Sequence, residues 1–423
     1  PPPALTEAVG PALAAFIYDY EQAGSTYRFL DMNANKVKTV LSGAGANLFV
    51  MRYGKTYLSA RTYRQKQSAE LGSEKYIVAM DGEAHYQMRK LQRLGYARSI
   101  IENRPEALIE TVQQVIAAYP AGEPLPVYQF FQKVMTIQLG KTILNHESAH
   151  IWREVCTYVD GMLAASFSPR PLSNEGLARY QAAASSTMAL ADEMIAAHRS
   201  TPPACPRPDL VDDLLVAVAQ DASLMREQDL RIAVLTPYIA GINPVAHTLS
   251  CLLYALLTHP HILESVLAEV NHCFDQDGFS LKAVRKMEKL RYSIWEALRL
   301  YPFAPVLEMT ASQAFKFDGY GVKPDTAVVL ATAVPHFLEA YYADPFTFDI
   351  DRYRPGRAEH RQPGAFAAYG VGPHICLGAG FAEDQMLLTM ATLLHSTAMQ
   401  LAPNATKPIV GIPSTNNFPV FIG

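Results

Sequence analysis

The stretch Tyr369-Gly-Val-Gly-Pro-His-Ile-Cys-Leu-Gly-Ala-Gly-Phe-Ala382 sets one cysteine, Cys376, among four glycines and a proline. Glycines at 370, 372 and 378 let the backbone turn tightly around one sulfur, and Pro373 stiffens the turn. A helical pattern begins directly after the cysteine, so the positive end of that helix can stabilise a thiolate. Backbone N–H groups left free by such a loop can also point at the sulfur. Two readings are open: a buried free cysteine in a glycine-rich turn, or a thiolate that binds a metal. The density of glycines around the sulfur favours the ligand.

The remaining cysteines narrow the choice. There are five in all (Cys156, Cys205, Cys251, Cys273 and Cys376), an odd count with no CxxC pair. That disfavours a disulfide framework and a zinc site, and fits a reducing compartment. A single thiolate suits an axial iron ligand in haem better than zinc or an iron–sulfur cluster. The 423 residues are 49% hydrophobic and 18% charged, with formal net charge −4. This is enough apolar material for a large core, and the mild negative balance argues against nucleic acid as a partner. No apolar run reaches the roughly 20 residues of a membrane span. The N-terminal PPPALTEAVGPALAAFIYDY lacks the basic start of a signal peptide. The expectation is a soluble, cytoplasmic protein.

No linker or repeat divides the chain, so residues 1–423 read as a single domain. An amphipathic helix is expected over residues 11–23, followed by β-like runs at Tyr27-Arg-Phe-Leu and Lys36-Val-Lys-Thr-Val-Leu. Helical periodicity dominates from about residue 83 to 300. Short strands return near 305–332, then an irregular Pro/Arg-rich stretch, a helix from about Gly378, and a tail that suggests a hairpin. The fold class is mainly α, with small sheets at the two ends of the chain.

The cysteine segment resembles the haem-binding loop of the cytochrome P450 superfamily, Phe-Gly-x-Gly-x-His/Arg-x-Cys-x-Gly with an alanine six residues after the cysteine. Gly370, Gly372, His374, Cys376, Gly378 and Ala382 match, whereas Tyr369 replaces the phenylalanine and adds a hydroxyl that needs a partner. Glu296 and Arg299 in Ser293-Ile-Trp-Glu-Ala-Leu-Arg-Leu-Tyr-Pro302 resemble the family's Glu-x-x-Arg pair, and Arg352 stands where its second arginine belongs. By resemblance, the three form a buried charge network that fixes the cysteine loop. His336 falls where the family often has a histidine near a haem propionate. Asp81-Gly-Glu-Ala-His85-Tyr-Gln-Met-Arg89 resembles the haem-flanking helix, with His85 and Arg89 on one face. Met309 stands where the family usually has a propionate-binding arginine. The resemblance implies the family's fold, a triangular helical prism around haem b (iron protoporphyrin IX) crossed by one long helix.

That helix is expected from about Met225 to Thr258, some 50 Å long at about 1.5 Å per residue. Its family signature is Ala/Gly-Gly-x-Asp/Glu-Thr-Thr/Ser, and Ala240 and Gly241 match it. Asn243 then occupies the acid position and Pro244 the alcohol position. The family uses that pair to deliver protons during dioxygen activation, yet asparagine is no acid near neutral pH and proline has no side-chain donor. A proline should also break the helix, removing the bond to the Ala240 carbonyl at a cost of about 3 kcal/mol. Either a water carries the protons, or the protein avoids the ordinary dioxygen route. His247, four residues on, is a candidate substitute relay, although an isolated histidine is more often structural.

The function expected is a haem-thiolate monooxygenase acting on a small apolar molecule. Cys376 would be the iron ligand, with Ile239, Pro305, Val306, Leu307 and the segment around Ile412–Asn416 lining the pocket. The chain carries no flavin or ferredoxin module, so electrons would come from a separate ferredoxin or flavoprotein reductase to a monomer. Arg352, Arg354, Arg357 and Arg361 form a basic cluster that could dock such a partner or simply face solvent. The alternatives are a peroxygenase or haem-thiolate isomerase/dehydratase, and a haem-containing binding protein with weak catalysis.

Overall fold

The computed structural model describes residues 1–32, 35–167, 172–200, 209–410 and 418–422. Most of the chain is helical, and the central helix spans Glu227–Thr258. Asp229 starts it, accepting from the Arg226 backbone N–H (3.1 Å) and guanidinium (2.8 Å) and from the Ser73 hydroxyl (2.9 Å). His259 and Pro260 end it and begin the next helix. The expected break at Pro244 does not occur. The helix runs continuously through both Pro237 and Pro244, because burial on most of its surface outweighs two lost backbone bonds. Among the described residues this helix alone is long and apolar enough to cross a membrane, and most of it is buried inside the protein.

Two helices matter most beside it. Val127–Ile143 packs along the central helix so closely that a Cβ at Gly241 would sit 3.1 Å from Leu139. Trp152–Phe167 packs on both of them.

Among the described residues, ten short strands complete the fold: β1 (Thr26–Asp31), β2 (Lys36–Ser42), β3 (Leu58–Ser59), β4 (Pro124–Pro126), β5 (Leu307–Ala311), β6 (Phe315–Phe317), β7 (Tyr320–Val322), β8 (Ala327–Ala331), β9 (Met399–Leu401) and β10 (Pro419–Ile422). The N-terminal strands and those after residue 305 do not form separate sheets as expected. They join in one sheet of order β1-β2-β8-β5-β3, with β2 and β8 parallel, Val40 opposite Val329. The β-like run Lys36-Val-Lys-Thr-Val-Leu is a strand, and its residues from Lys38 to Ser42 are buried where it meets this long-range partner. The tail pairing is real: β10 lies antiparallel to β9 and β4.

Candidate haem-thiolate site

The cysteine loop depends on two glycines. Gly370 and Gly372 have φ of 75° and 71°, which only glycine adopts without strain. A Cβ at Gly372 would also lie 2.8 Å from the Val50 carbonyl, on the helix Gly43–Tyr57 that supports the loop. Gly378 does not share this need: its φ is −92°, and it caps the helix Ala379–Ser396, donating to the Cys376 sulfur. The Cys376 N–H donates to the Tyr369 carbonyl at 2.9 Å, closing the turn. Ala382 donates its N–H to the Gly378 carbonyl at 2.8 Å. The Tyr369 hydroxyl is buried and finds no partner among the described residues.

Cys376 is accessible although protein surrounds it on most sides. Burial raises its thiol above the ordinary value, while the Gly378 N–H and the nearby Arg89 guanidinium pull the other way. The other cysteines are different. Cys156, Cys251 and Cys273 are buried, and burial raises the thiols of all three. Cys205 lies outside the described residues.

Glu296, Arg299 and Arg352 come together with no exposed surface. The Glu296 carboxylate accepts from Arg299 twice at 2.8 Å, from Arg352 at 3.0 Å, from the Asp349 N–H at 3.0 Å and from the Tyr353 hydroxyl at 2.9 Å. Arg299 also donates to the carbonyls of His336 and Pro345, both at 2.6 Å, and Arg352 to Glu359 at 2.6 Å. Both guanidiniums lie over the Tyr342 ring. Two carboxylates therefore balance two guanidiniums, which is the condition for keeping them dry.

His336 belongs to this network and not beside a propionate. Its Nδ1 faces the Arg299 carbonyl at 3.1 Å and its Nε2 accepts from the Ala367 N–H at 3.0 Å. Those partners fix a neutral ring, and burial, helped by Arg299, holds its pKa down at about 3. With both nitrogens committed, it has no donor left for a cofactor. Its role is mechanical: it ties the helix Glu288–Leu300 to the backbone entering the cysteine loop. Of the basic cluster, Arg352 is buried and faces neither a partner nor solvent. Arg354, Arg357 and Arg361 are exposed, with Arg357 paired to Asp349 and Glu359 and Arg354 to Asp351.

On the helix Gly82–Gln92, His85 and Arg89 hydrogen-bond to no other described side chain. His85 stacks on His374 with ring centroids 4.3 Å apart, and burial, then the charge of its neighbours, keeps its pKa near 4. His374 bonds Asp81 at 3.1 Å. Asp81, quoted only as the start of a motif, proves to be a hub. It also accepts from the Ser59 hydroxyl (2.6 Å) and the Ala60 and Arg61 N–H groups (3.1 and 2.9 Å). Burial would raise its pKa, but these bonds, led by His374, hold it at about 2. Met309 is buried on β5 and offers no donor.

On the central helix, Ala240 is exposed and Gly241 and Pro244 are half-buried, though this stretch lies in the protein interior. These three share one helix face. The expectation for the rest of the segment needs correction. Ile239 is packed in the core. Asn243 is buried and turns away from that face, donating to Asp160 at 2.7 Å and accepting from Gln132 at 3.0 Å. His247 is buried, with Nε2 on the Tyr301 carbonyl at 2.8 Å, and burial lowers its pKa to about 4. Its Nε2–H is spent on a carbonyl one turn beyond the open face, so it is not the relay. Pro305, Val306 and Leu307 are half-buried, and Leu307 lies 3.9 Å from where a Cβ on Gly370 would be. Residues 412–416 lie outside the described residues.

A lone accessible cysteine in a glycine turn, braced by a buried arginine–glutamate network, marks a haem-thiolate protein. The chain belongs to the cytochrome P450 family, whose model matches residues 16–414. It is 24% identical to the pentalenene oxygenase of Streptomyces avermitilis, over 79% of this chain and 76% of the relative. It is 23% identical to the cyclooctat-9-en-7-ol 5-monooxygenase of Streptomyces melanosporofaciens, over 77% and 72%. A cyanobacterial cytochrome P450 with retinoic acid bound superposes at a TM-score of 0.84, with 21% identity, covering 99% of this chain and 96% of that one. The protein is a haem-dependent monooxygenase. The residues present fit haem: an accessible sulfur with an N–H aimed at it, and the uncommitted donors His85 and Arg89.

Proposed function

We propose that the enzyme inserts one oxygen atom into a small, cyclic, apolar molecule, by hydroxylation or epoxidation, with electrons from a separate ferredoxin or flavoprotein reductase. The observation that carries this reading is the character of the accessible residues on the central helix and around the start of β5. Ala240, Gly241 and Pro244 on the first and Pro305, Val306 and Leu307 at the second present no charge, as a hydrocarbon requires. The names of the two Streptomyces relatives also denote cyclic, largely apolar molecules, which supports the same substrate class. Bound through Cys376, the haem supplies dioxygen activation and oxygen transfer. The chain's own part is to hold the thiolate, through Gly378 and the Glu296 network, and to hold the substrate dry. His85 and Arg89 would hold the propionates.

A second reading, use of peroxide without a reductase, is favoured by one observation: Pro244 supplies no hydroxyl and Asn243 no acid at the open face. Turnover separates the two. Cyclic terpene hydrocarbons should shift the haem spectrum on binding and be oxidised with a surrogate reductase pair. Oxidation driven only by peroxide would establish the second reading instead.

A further inference from the structure

Asn243 is not simply an acid lost from the central helix. Its amide N–H donates at 2.7 Å to a carboxyl, Asp160, supplied by the helix Trp152–Phe167. Gln132, from the helix Val127–Ile143, donates to Asn243 at 3.0 Å and more weakly to Asp160 at 3.4 Å. Three helices thus contribute one side chain each to a closed amide–carboxyl–amide set. Asp160 takes part in no ion pair among the described residues, and the residue keeps more than a third of its surface accessible. Among the described residues, its carboxyl accepts only from the two amides.

Among the described residues, none of the groups around it is a cation in contact with the carboxyl. Tyr128, one turn from Gln132 on the same helix face, is buried, feels the charge of Asp160 and has no partner for its hydroxyl. Cys156, one turn back on Asp160's own helix, bonds Thr136. The central helix faces it with Asn243 and, further off, Cys251. The helices Asn174–Ser200 and Arg61–Glu70 meet Asp160's helix through Tyr180, Gln67 and Glu70, with Glu70 held by Tyr180 at 2.8 Å. Among the described residues, the groups that favour the ionised form are the amides of Asn243 and Gln132, not a cation.

We propose that Asp160, hydrogen-bonded to the central helix at Asn243, is a proton-donating carboxyl of this enzyme, taking the place of the acid that this helix lacks at Asn243. The inference rests on the dioxygen-using reading above. In the step assigned to it, the Asp160 O–H bond breaks and its proton passes to a water at the accessible edge of the carboxyl. Bulk solvent then returns a proton to the carboxylate. Asn243 and Gln132 orient the group and stabilise its anion in the interval. Burial raises the Asp160 pKa, against the pull of the two amide bonds, which suits a group that must hold a proton nearer neutrality. The arrangement also explains the residue at 243. A carboxylate there would meet Asp160 at 2.7 Å, so an amide is required once the acid stands on the neighbouring helix.

The test has two arms on the haem-loaded enzyme. Infrared difference spectra across a pH titration should show a protonated carboxyl band that is lost in Asp160→Asn. No such band in the native protein, or its persistence in the variant, overturns the proposal, and this arm does not depend on turnover. In the second arm, product formed per reduced nicotinamide consumed is measured with a surrogate reductase pair. Asp160→Asn should lower coupling about tenfold or more and abolish its pH dependence, with substrate binding and melting temperature retained. The swap Asp160→Asn with Asn243→Asp, which returns one acid to the same pair, should recover it. Unchanged coupling in Asp160→Asn overturns the proposal. So does a loss that the swap does not recover, because Asp160 would then only position Asn243. If the native protein oxidises substrate with peroxide alone, the dioxygen reading fails, while the infrared arm still decides whether Asp160 holds a proton.

Discussion

Two regions of the molecule are built on opposite principles. On the cysteine side every charge is matched: Glu296, Arg299, Arg352 and Glu359 share a dry, fully bonded network, and His336 carries its rigidity into the loop. Beside the central helix a carboxyl, Asp160, faces two amides and, among the described residues, no cation. A saturated network can only hold position, since every lone pair and proton already has a partner. An unsaturated one can exchange a proton. The difference separates a region that fixes geometry from one equipped for chemistry.

Removing one partner on each side exposes this contrast. Glu296→Ala leaves the buried Arg299 guanidinium without its carboxylate and Arg352 with Glu359 alone, a loss of about 3–5 kcal/mol. The expected outcome is misfolded or haem-free protein. Wild-type haem content and melting temperature in that variant would contradict the network's role. Asn243→Asp alone puts two carboxylates in contact, so one must stay protonated or the fold must give. Melting should fall as pH rises past the carboxylate range, by about 2–3 kcal/mol if the clash moves one pKa by about two units. Asp160→Asn in the same background should remove that pH dependence, and a flat profile in Asn243→Asp alone would show that the two groups do not interact.

Smaller effects refine the same division. His336→Ala leaves the buried Ala367 N–H without its acceptor, a cost of about 1–3 kcal/mol, read as a lower melting temperature with haem still bound. An unchanged melt would mean the link to the loop carries nothing. The smallest effect concerns a titration that must be distinguished from that of Asp160. Both ring nitrogens of His198 face acceptors, Asp209 at 3.0 Å and the Met194 carbonyl at 2.7 Å. The Asp209 bond chiefly raises its pKa from 6.5 to about 8. A folded pKa above the unfolded one gives stability that is full below pH 6.5 and lost as pH rises through 8. That contribution is at most about 2 kcal/mol, and His198→Gln should flatten the melting profile over this interval.

The sequence disclosed the two regions unequally, for a physical reason. The cysteine turn is local: its glycines, proline and sulfur lie within fourteen consecutive residues, so chemistry and spacing are read together. Glu296 and Arg299 share one helix turn, and Arg352 was found because its motif is also local. His336 was located but misassigned, since position along the chain does not say which way a ring faces. Asp160 and Gln132 were missed altogether. Each is an ordinary polar residue on an amphipathic helix, and only the packing of three helices brings them to Asn243. Asp81 joins segments that begin near residues 59 and 374 in the same way. The merged sheet was hidden likewise, because β2 pairs with a strand nearly three hundred residues away. Pro244 was legible as a departure, but its tolerance within an unbroken helix was not, since burial decides it.

The most direct test of this division is the reduced carbon monoxide spectrum of Glu296→Ala and Asp160→Asn, recorded side by side at equal protein concentration. Loss of a cysteine-side charge should abolish the far-red-shifted Soret band of thiolate ligation, and loss of the Asp160 carboxyl should leave it at full height. A full band in Glu296→Ala, or a lost one in Asp160→Asn, would contradict the assignment of holding to one side and proton exchange to the other.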